Sequence, residues 1–262
     1  MQIVAVLPVK SLADAKSRLA GELSLEQRRA LVLTLMERLL RVLAASRAVT
    51  GTLVVSPDPS VLAHAAAAGA HTLAQRIIPA SSGTSATYSD GLNQALIEAR
   101  QHIRAAQALL VLLADLPLIT PADIVAMCGL LPPEGPAAVI APDRHEQGTN
   151  ALLLRPPEAL AFSFGTGSLA QHIRAAQAAK LSLAFYRAPG TAFDLDTAAD
   201  LRELDHYRQA MRCNSRVSRQ SHPLTSSLYH LYNRYSGSHV PKAAHSAYQD
   251  RSPDTVWKVS DG

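Results

Sequence analysis

Cysteine is nearly absent from this chain: Cys128 and Cys213 are the only two among 262 residues. Their separation fits no metal-ligand spacing, and two are too few for a disulfide framework, so a cytoplasmic protein is expected. Aromatic residues make up 5% of the chain and are thin before residue 211, which leaves no stacking platform for single-stranded nucleic acid. No apolar run approaches the roughly 20 residues that cross a bilayer, so no membrane partner is expected. The apolar opening MQIVAVLPVK lacks a basic flank and a small-residue cleavage site, and reads as a first strand instead of a signal peptide. Three glycine motifs are missing as well. No G-x-G-x-x-G follows the first strand, which disfavours a dinucleotide-binding oxidoreductase. The G-x-x-x-x-G-K-[ST] of P-loop NTPases and the G-x-S-x-G of α/β-hydrolases do not occur.

An excess of one charge is missing from most of the chain. The net charge is +4, but residues 211–262 carry seven Lys/Arg against three Asp/Glu, and residues 1–210 carry eighteen of each sign. The basic character therefore belongs to the C-terminal stretch, and a nucleic-acid partner is not indicated. That stretch is rich in Ser, His, Arg and Tyr without a periodic apolar face, so 211–262 reads as a disordered or loosely packed tail after a domain at 1–210.

Hydrophobic residues make up 48% of the chain, enough for a sizeable core. QIVAVL (2–7) reads as a buried strand ending at Pro8. Ser24-Leu-Glu-Gln27 is a capping box, and Leu31, Leu35, Leu39 and Val42 continue it as an amphipathic helix to about Ser46. TLVVS (52–56) is a second strand and 60–68 a short Ala-rich helix closed by Gly69. Residues 71–85 carry no clear pattern, and 90–106 is helical in character. ALLVLLADLP (108–117) is a fully buried strand, and Thr120-Pro-Ala-Asp123 opens another helix. Strands at 137–142, 151–156 and 181–186, and helices at 168–179 and after Thr197, complete the pattern. The octapeptide QHIRAAQA occurs at 101–108 and 171–178, but two copies do not make a repeat architecture. Alternating strands and helices imply a three-layer α/β/α fold with a mostly parallel sheet.

Ligands of such sheets bind beyond the C-terminal ends of the strands. Lys10, Lys16 and Arg18 follow the first strand and suit a triphosphate, or else form a solvated helix face. Asp115 comes directly after seven apolar residues, a costly place for a carboxylate unless it sits at an open strand end or holds a cation. Asp194 and Asp196 fall on one side of an extended DLDT segment. Two such acidic sites from distant parts of the chain can share one Mg²⁺, and both flank the same sheet edge, which favours that reading over Asp196 simply preceding a helix cap. Gly148-Thr149-Asn150 and Phe164-Gly165-Thr166-Gly167-Ser168 are small, hydroxyl-rich junctions that serve either an anion or ordinary turn and capping chemistry.

Together, PVK…AKSRL, ADLPLI, APDR…GTNALLL, FGTGS…H and DLDTAADL resemble, in order and spacing, the guanylyltransferases of coenzyme F-420 biosynthesis. These act on 2-phospho-L-lactate, phosphoenolpyruvate or 3-phospho-D-glycerate. The resemblance covers about residues 1–208 and implies a single Rossmann-like nucleotidyltransferase domain. It implies that Asp115, Asp194 and Asp196 hold Mg²⁺ and that Lys10, Lys16 and Arg18 serve the phosphates of GTP. Thr149, Gly165 and Ser168 would hold a small phosphorylated carboxylic acid, with Asn93 near the nucleotide. A downstream deazaflavin-transferring enzyme would take the product. Ala198 stands where the family usually has Pro, and His172 matches a family His that packs, caps or meets a phosphate. Thr166 is a candidate to bond the free hydroxyl of 3-phosphoglycerate. The alternatives are a molybdopterin or sugar-phosphate nucleotidyltransferase of the same fold, which usually open with a Gly-rich loop, or a non-catalytic nucleotide-binding protein.

Overall fold

The computed structural model describes residues 1–76, 88–103 and 105–215. The reading of 211–262 as a tail lies outside the described residues from 216 onward. The chain separates into two compact units, Met1–Thr197 and Ala198–Gly262. The described part of the second is one helix, Ala198–Ser215, which runs past Met211 where the apolar periodicity fades.

The first unit is built on a seven-stranded sheet. In chain order the strands are β1 (Ile3–Pro8), β2 (Gly51–Ser56), β3 (His71–Ala74), β4 (Ala108–Leu112), β5 (Ala137–Pro142), β6 (Thr149–Arg155) and β7 (Ser182–Phe185). Across the sheet the order is β3-β2-β1-β4-β6-β5-β7. Only β6 runs antiparallel to its neighbours β4 and β5, so the sheet is mostly parallel, as its sequence pattern suggests. Alternate residues of β1 serve opposite faces. Ile3, Ala5 and Leu7 join the hydrophobic cluster that includes Met36, Leu39 and Leu43, while Val4 and Val6 are buried between them in sequence.

The helices form where their caps and stripes dictate. Helix α1 (Leu25–Ser46) starts at the Ser24–Gln27 capping box, with Gln27 N donating to Ser24 Oγ at 3.3 Å and Ser24 N to Gln27 Oε1 at 2.8 Å. Helix α2 (Pro59–Ala67) is capped by Asp58 and begins with proline at its first position, one residue before the start read from its Ala-rich run. Helix α3 (Tyr88–His102) packs on β1 and β2. Helix α4 (Pro121–Gly129) carries the Thr120–Asp123 capping box, and helix α5 (Ser168–Ala178) follows Gly167, which holds φ 68° as its cap.

A one-turn helix, α6 (Pro189–Ala192), has no signature in an apolar pattern because four residues are too few to repeat. It sits against the start of α4. A Cβ on Gly190 would collide with Asp123 Oδ2 and meet Ile119 Cα at 3.2 Å. That same Asp123 bonds Thr120 Oγ1 at 2.6 Å and accepts from Tyr186 Oη at 2.8 Å. Gly190→Ala is therefore expected to cost about 2 kcal/mol in urea unfolding, the range found for overpacked cores. A variant as stable as the parent would show that α6 has room to move.

Candidate active site

Strand β1 connects to β2 on one side, while β4 pairs on its other side, so the strand order reverses between β1 and β4. Open α/β sheets bind ligands beyond the strand C-termini at such a point. Because β6 runs antiparallel, its N-terminal end reaches the same edge, and Leu113 N donates to Asn150 O there at 3.1 Å. A cleft of about 690 Å³ opens at this edge, within the usual size of a small-ligand site. Nine of the residues singled out in the sequence line it: Lys10, Lys16, Arg18, Asp115, Thr149, Gly165, Ser168, Asp194 and Asp196.

The turn after β1 places the cations. It consists of two 3-10 turns, Leu12–Asp14 and Ser17–Leu19, joined at Lys16 in the left-handed region at φ 43°. A side chain there costs of order 1 kcal/mol, so the turn must be held from outside. Three charged residues do so. Asp58 Oδ2 accepts from Leu12 N at 2.8 Å, Arg28 Nη1 donates to Ala15 O at 2.7 Å, and Arg29 Nε donates to Leu12 O at 3.3 Å. No motif in the sequence marks any of the three. A signal existed: cations near the start of α1 oppose the helix dipole, so they need a partner elsewhere.

Lys16 is almost fully buried, and its ammonium bridges two acids, Asp115 Oδ2 at 2.6 Å and Asp196 Oδ1 at 3.2 Å. Burial pulls its pKa down, but the Asp115 and Asp196 carboxylates outweigh that and hold it above the usual lysine value. Exposed Arg18 takes the other oxygen of Asp196 at 2.8 Å. Half-buried Lys10 is pushed the opposite way, first by burial and then by the neighbouring Lys16 charge. The acids are positioned by backbone bonds as well. Leu195 N donates to Asp115 O at 3.0 Å, tying the DLD segment to the end of β4. Buried Asn150 reaches back from β6 to the end of α6, donating to Thr191 O at 3.0 Å. Gly190, α6 and Asn150 thus set where Asp194 begins.

The donor set suits a hard divalent cation. Asp115 Oδ1 is buried without a hydrogen-bond partner among the described residues. Burial and then the Asp115 carboxylate raise the pKa of Asp194, with Asp196 adding to the same effect. Negative charge is thus concentrated here beyond what Lys16 neutralises. No three His, Cys, Asp or Glu side chains among the described residues are already disposed around one point as metal ligands. Lys16 holds the place between Asp115 and Asp196.

The far wall is hydroxyl-rich. Thr149 N donates to Ser168 Oγ at 2.9 Å, and Thr149 Oγ1 lies 3.0 Å from His172 Nδ1. Asn93 does not line the cleft. It clamps the glycine loop from α3, donating to Phe164 O at 3.0 Å and accepting from Phe164 N at 2.9 Å. Thr166 is exposed and outside the lining, with its carbonyl held by Gln171 at 3.0 Å.

His172 is fully buried, and burial lowers its pKa to about 4. In the unfolded chain it takes a proton near its ordinary 6.5, so between these values the unfolded state binds more protons. The contribution of His172 to stability is full above about 6.5 and falls as the pH drops toward 4. Between pH 7 and 4.5 the wild type should lose roughly 2 kcal/mol more than His172→Phe in urea titrations. Equal losses would mean that the imidazole is protonated in the fold.

The sequence matches the CofC-like guanylyl transferase family over residues 3–210. The phosphoenolpyruvate guanylyltransferase of Sphaerobacter thermophilus is 46% identical over 206 residues, covering 78% of this chain and 93% of that protein. This chain belongs to the CofC-like guanylyl transferase family. The enzyme of the same name from Rubrobacter xylanophilus is 44% identical over 207 residues, covering 78% and 94%. Among solved structures, a Desulfovibrio desulfuricans protein described as a nucleotide-diphospho-sugar transferase superposes with a TM-score of 0.61 at 16% identity, covering 90% of this chain and 99% of that one. At that identity the likeness speaks for the fold alone. As a member of this guanylyl transferase family the chain is a nucleotidyltransferase. No helix among the described residues is long and apolar enough to cross a membrane.

Proposed function

We propose that this protein transfers the GMP moiety of GTP to the phosphate of a three-carbon phospho-acid, releasing pyrophosphate, as a step of coenzyme F-420 biosynthesis. Phosphoenolpyruvate is the leading acceptor, since the relatives at 46% and 44% identity carry its name. The observation that supports the reading is the bridge of Lys16 between Asp115 and Asp196, joining three distant segments at one sheet edge.

The acceptor's phosphate is already anionic at neutral pH, so no general base is needed to make the nucleophile. What remains is alignment and charge neutralisation. Lys10, Lys16 and Arg18 take the triphosphate and then the departing pyrophosphate. Thr149, Gly165 and Ser168 hold the acceptor, and Asn93 holds the glycine loop that leads to Ser168 in place. Asp115, Asp194 and Asp196 are the residues that would bind Mg²⁺, which when bound polarises the α-phosphoryl group and neutralises its developing charge. An acceptor oxygen forms the new bond to the α-phosphorus as the α–β bridging bond breaks, and the electron pair leaves with pyrophosphate. The product is a GMP-capped acid joined by a diphosphate, a fit substrate for a deazaflavin-transferring enzyme. The chemistry is assigned to residues 1–210, in the cytoplasm.

A panel of the four nucleoside triphosphates, with and without Mg²⁺, tests this by pyrophosphate release in the presence of phosphoenolpyruvate, 3-phosphoglycerate or 2-phospholactate. Release is expected with GTP, Mg²⁺ and phosphoenolpyruvate. Release only with a sugar phosphate or a molybdopterin, or none at all, would overturn the reading. Since Thr166 lies outside the cleft, Thr166→Ala is expected to leave the order of preference among the three acids unchanged.

A further inference from the structure

His172 touches no part of the cleft's opening, yet its two ring nitrogens meet two different partners. Ser163 N lies 3.2 Å from Nε2. A backbone N–H can only donate, so Nε2 carries the lone pair. The neutral ring then carries its proton on Nδ1, and Nδ1–H points at Thr149 Oγ1, 3.0 Å away. Burial keeps the ring neutral, and Phe164 stacks edge-on against it with centroids 5.0 Å apart. The tautomer is therefore fixed from outside the cleft, by the backbone that leads into the glycine loop.

The consequence falls on the two hydroxyls of the far wall. Thr149 Oγ1 accepts from His172, so its own proton is left to donate. Ser168 Oγ accepts from Thr149 N, so its proton is left to donate too. Neither hydroxyl proton has an acceptor among the described residues, and both residues line the cleft while only 2% exposed. Two enclosed hydroxyls, each accepting one bond from behind and each with its proton turned toward the cleft, favour a ligand group that only accepts, such as an oxyanion.

We propose that His172 is a positioning residue that, through its fixed tautomer, keeps the Thr149 hydroxyl proton free to donate into the cleft, so that Thr149 and Ser168 favour an oxyanion of the acceptor acid. This rests on the reading of the far wall as the acceptor side. The chain Ser163 N–H to Nε2, Nδ1–H to Thr149 Oγ1, and Thr149 O–H to ligand runs in one direction, and it cannot reverse while Ser163 caps the ring.

Three substitutions separate the parts. His172→Phe keeps the bulk and the contact with Phe164 but removes both bonds. His172→Gln places an acceptor near the former Nε2 without the donor to Thr149, and His172→Asn places an amide donor near the former Nδ1. Using GTP, Mg²⁺ and phosphoenolpyruvate, the KM for phosphoenolpyruvate is expected to rise at least tenfold in His172→Phe and His172→Gln. The KM for GTP should stay within twofold, and His172→Asn should return the acceptor KM to within about threefold of wild type. A parallel rise in both KM values, an unchanged acceptor KM, or equal behaviour of the Asn and Gln variants would overturn the proposal. Should His172→Phe fail to fold, Thr149→Val carries the same expectation. If Thr149→Val and Ser168→Ala leave the acceptor KM unchanged, the acceptor-side reading itself fails. If they raise it and the His172 variants do not, only the role of His172 is lost.

Discussion

Asp115→Asn is expected to lower kcat about a thousandfold while leaving the thermal unfolding midpoint close to wild type. The size follows from losing an electrostatic contact that matters most as charge develops on the α-phosphoryl group. The variant keeps the shape and volume of the side chain, and the backbone bond from Leu195 N to Asp115 O does not depend on the carboxylate. What changes is charge. Asp115 Oδ2 gives up its ionic partner Lys16, and Oδ1, which has no partner among the described residues, no longer offers a full anionic donor. Steady-state pyrophosphate release beside a thermal melt checks both halves. A variant with wild-type turnover would remove Asp115 from the chemistry, and one that is inactive because it is unfolded would assign it a structural role instead.

Lys16→Met should damage binding, turnover and stability together. The ammonium is the only cation bonded to both Asp115 and Asp196 in the described structure, so its loss leaves two carboxylates facing each other. Breaking one side of an enclosed ion pair costs about 3–5 kcal/mol. Here the acids keep 24% and 35% of their side-chain area in contact with solvent, so about 2 kcal/mol is expected. The KM for GTP should rise at least tenfold and kcat fall about a hundredfold, since the same ammonium would neutralise the triphosphate and its leaving group. Urea unfolding and initial rates measure these separately. Unchanged stability with unchanged KM for GTP would mean that the bridge is incidental.

How much of this was legible in the sequence depends on what kind of feature is in question. Strands β1 and β4 stood out because each is a closed apolar run shortly followed by the residues that matter, Lys10 in one case and Asp115 in the other. The capping box of α1 and the start of α4 at Thr120-Pro-Ala-Asp123 are equally legible, because their side chains bond within three residues. Strand β3 was not, since its four residues are mostly exposed and carry no alternation. The reversed direction of β6 could not be read either, because side-chain period is the same for both directions. Yet that reversal is what brings Thr149 to the edge that holds Asp115. The strand-end charges Lys10, Lys16, Arg18, Asp115, Asp194 and Asp196 are legible as such, and all six line one cleft. The supports of the site are less legible: Asp58, Arg28 and Arg29 around the Lys16 turn and α6 behind Asp194 carry no motif, and Asn150 and His172 stand in motifs that do not reveal the partners they bond. Each acts across a gap of many residues, by a bond to backbone or to a second polar side chain. Local pattern carries no trace of such bonds beyond the oddity of cations at a helix start.

In the proposed function, carboxylates from two distant loops share one divalent ion in front of the Lys16 turn. Anomalous diffraction from crystals grown with GTP and Mn²⁺ tests it most directly. The expected result is a manganese peak in contact with Asp115 and Asp196, beside Asp194, with the Lys16 ammonium moved onto phosphate oxygens. Nucleotide bound in the cleft with Lys16 still bridging the two acids, and manganese absent or held elsewhere, would contradict it.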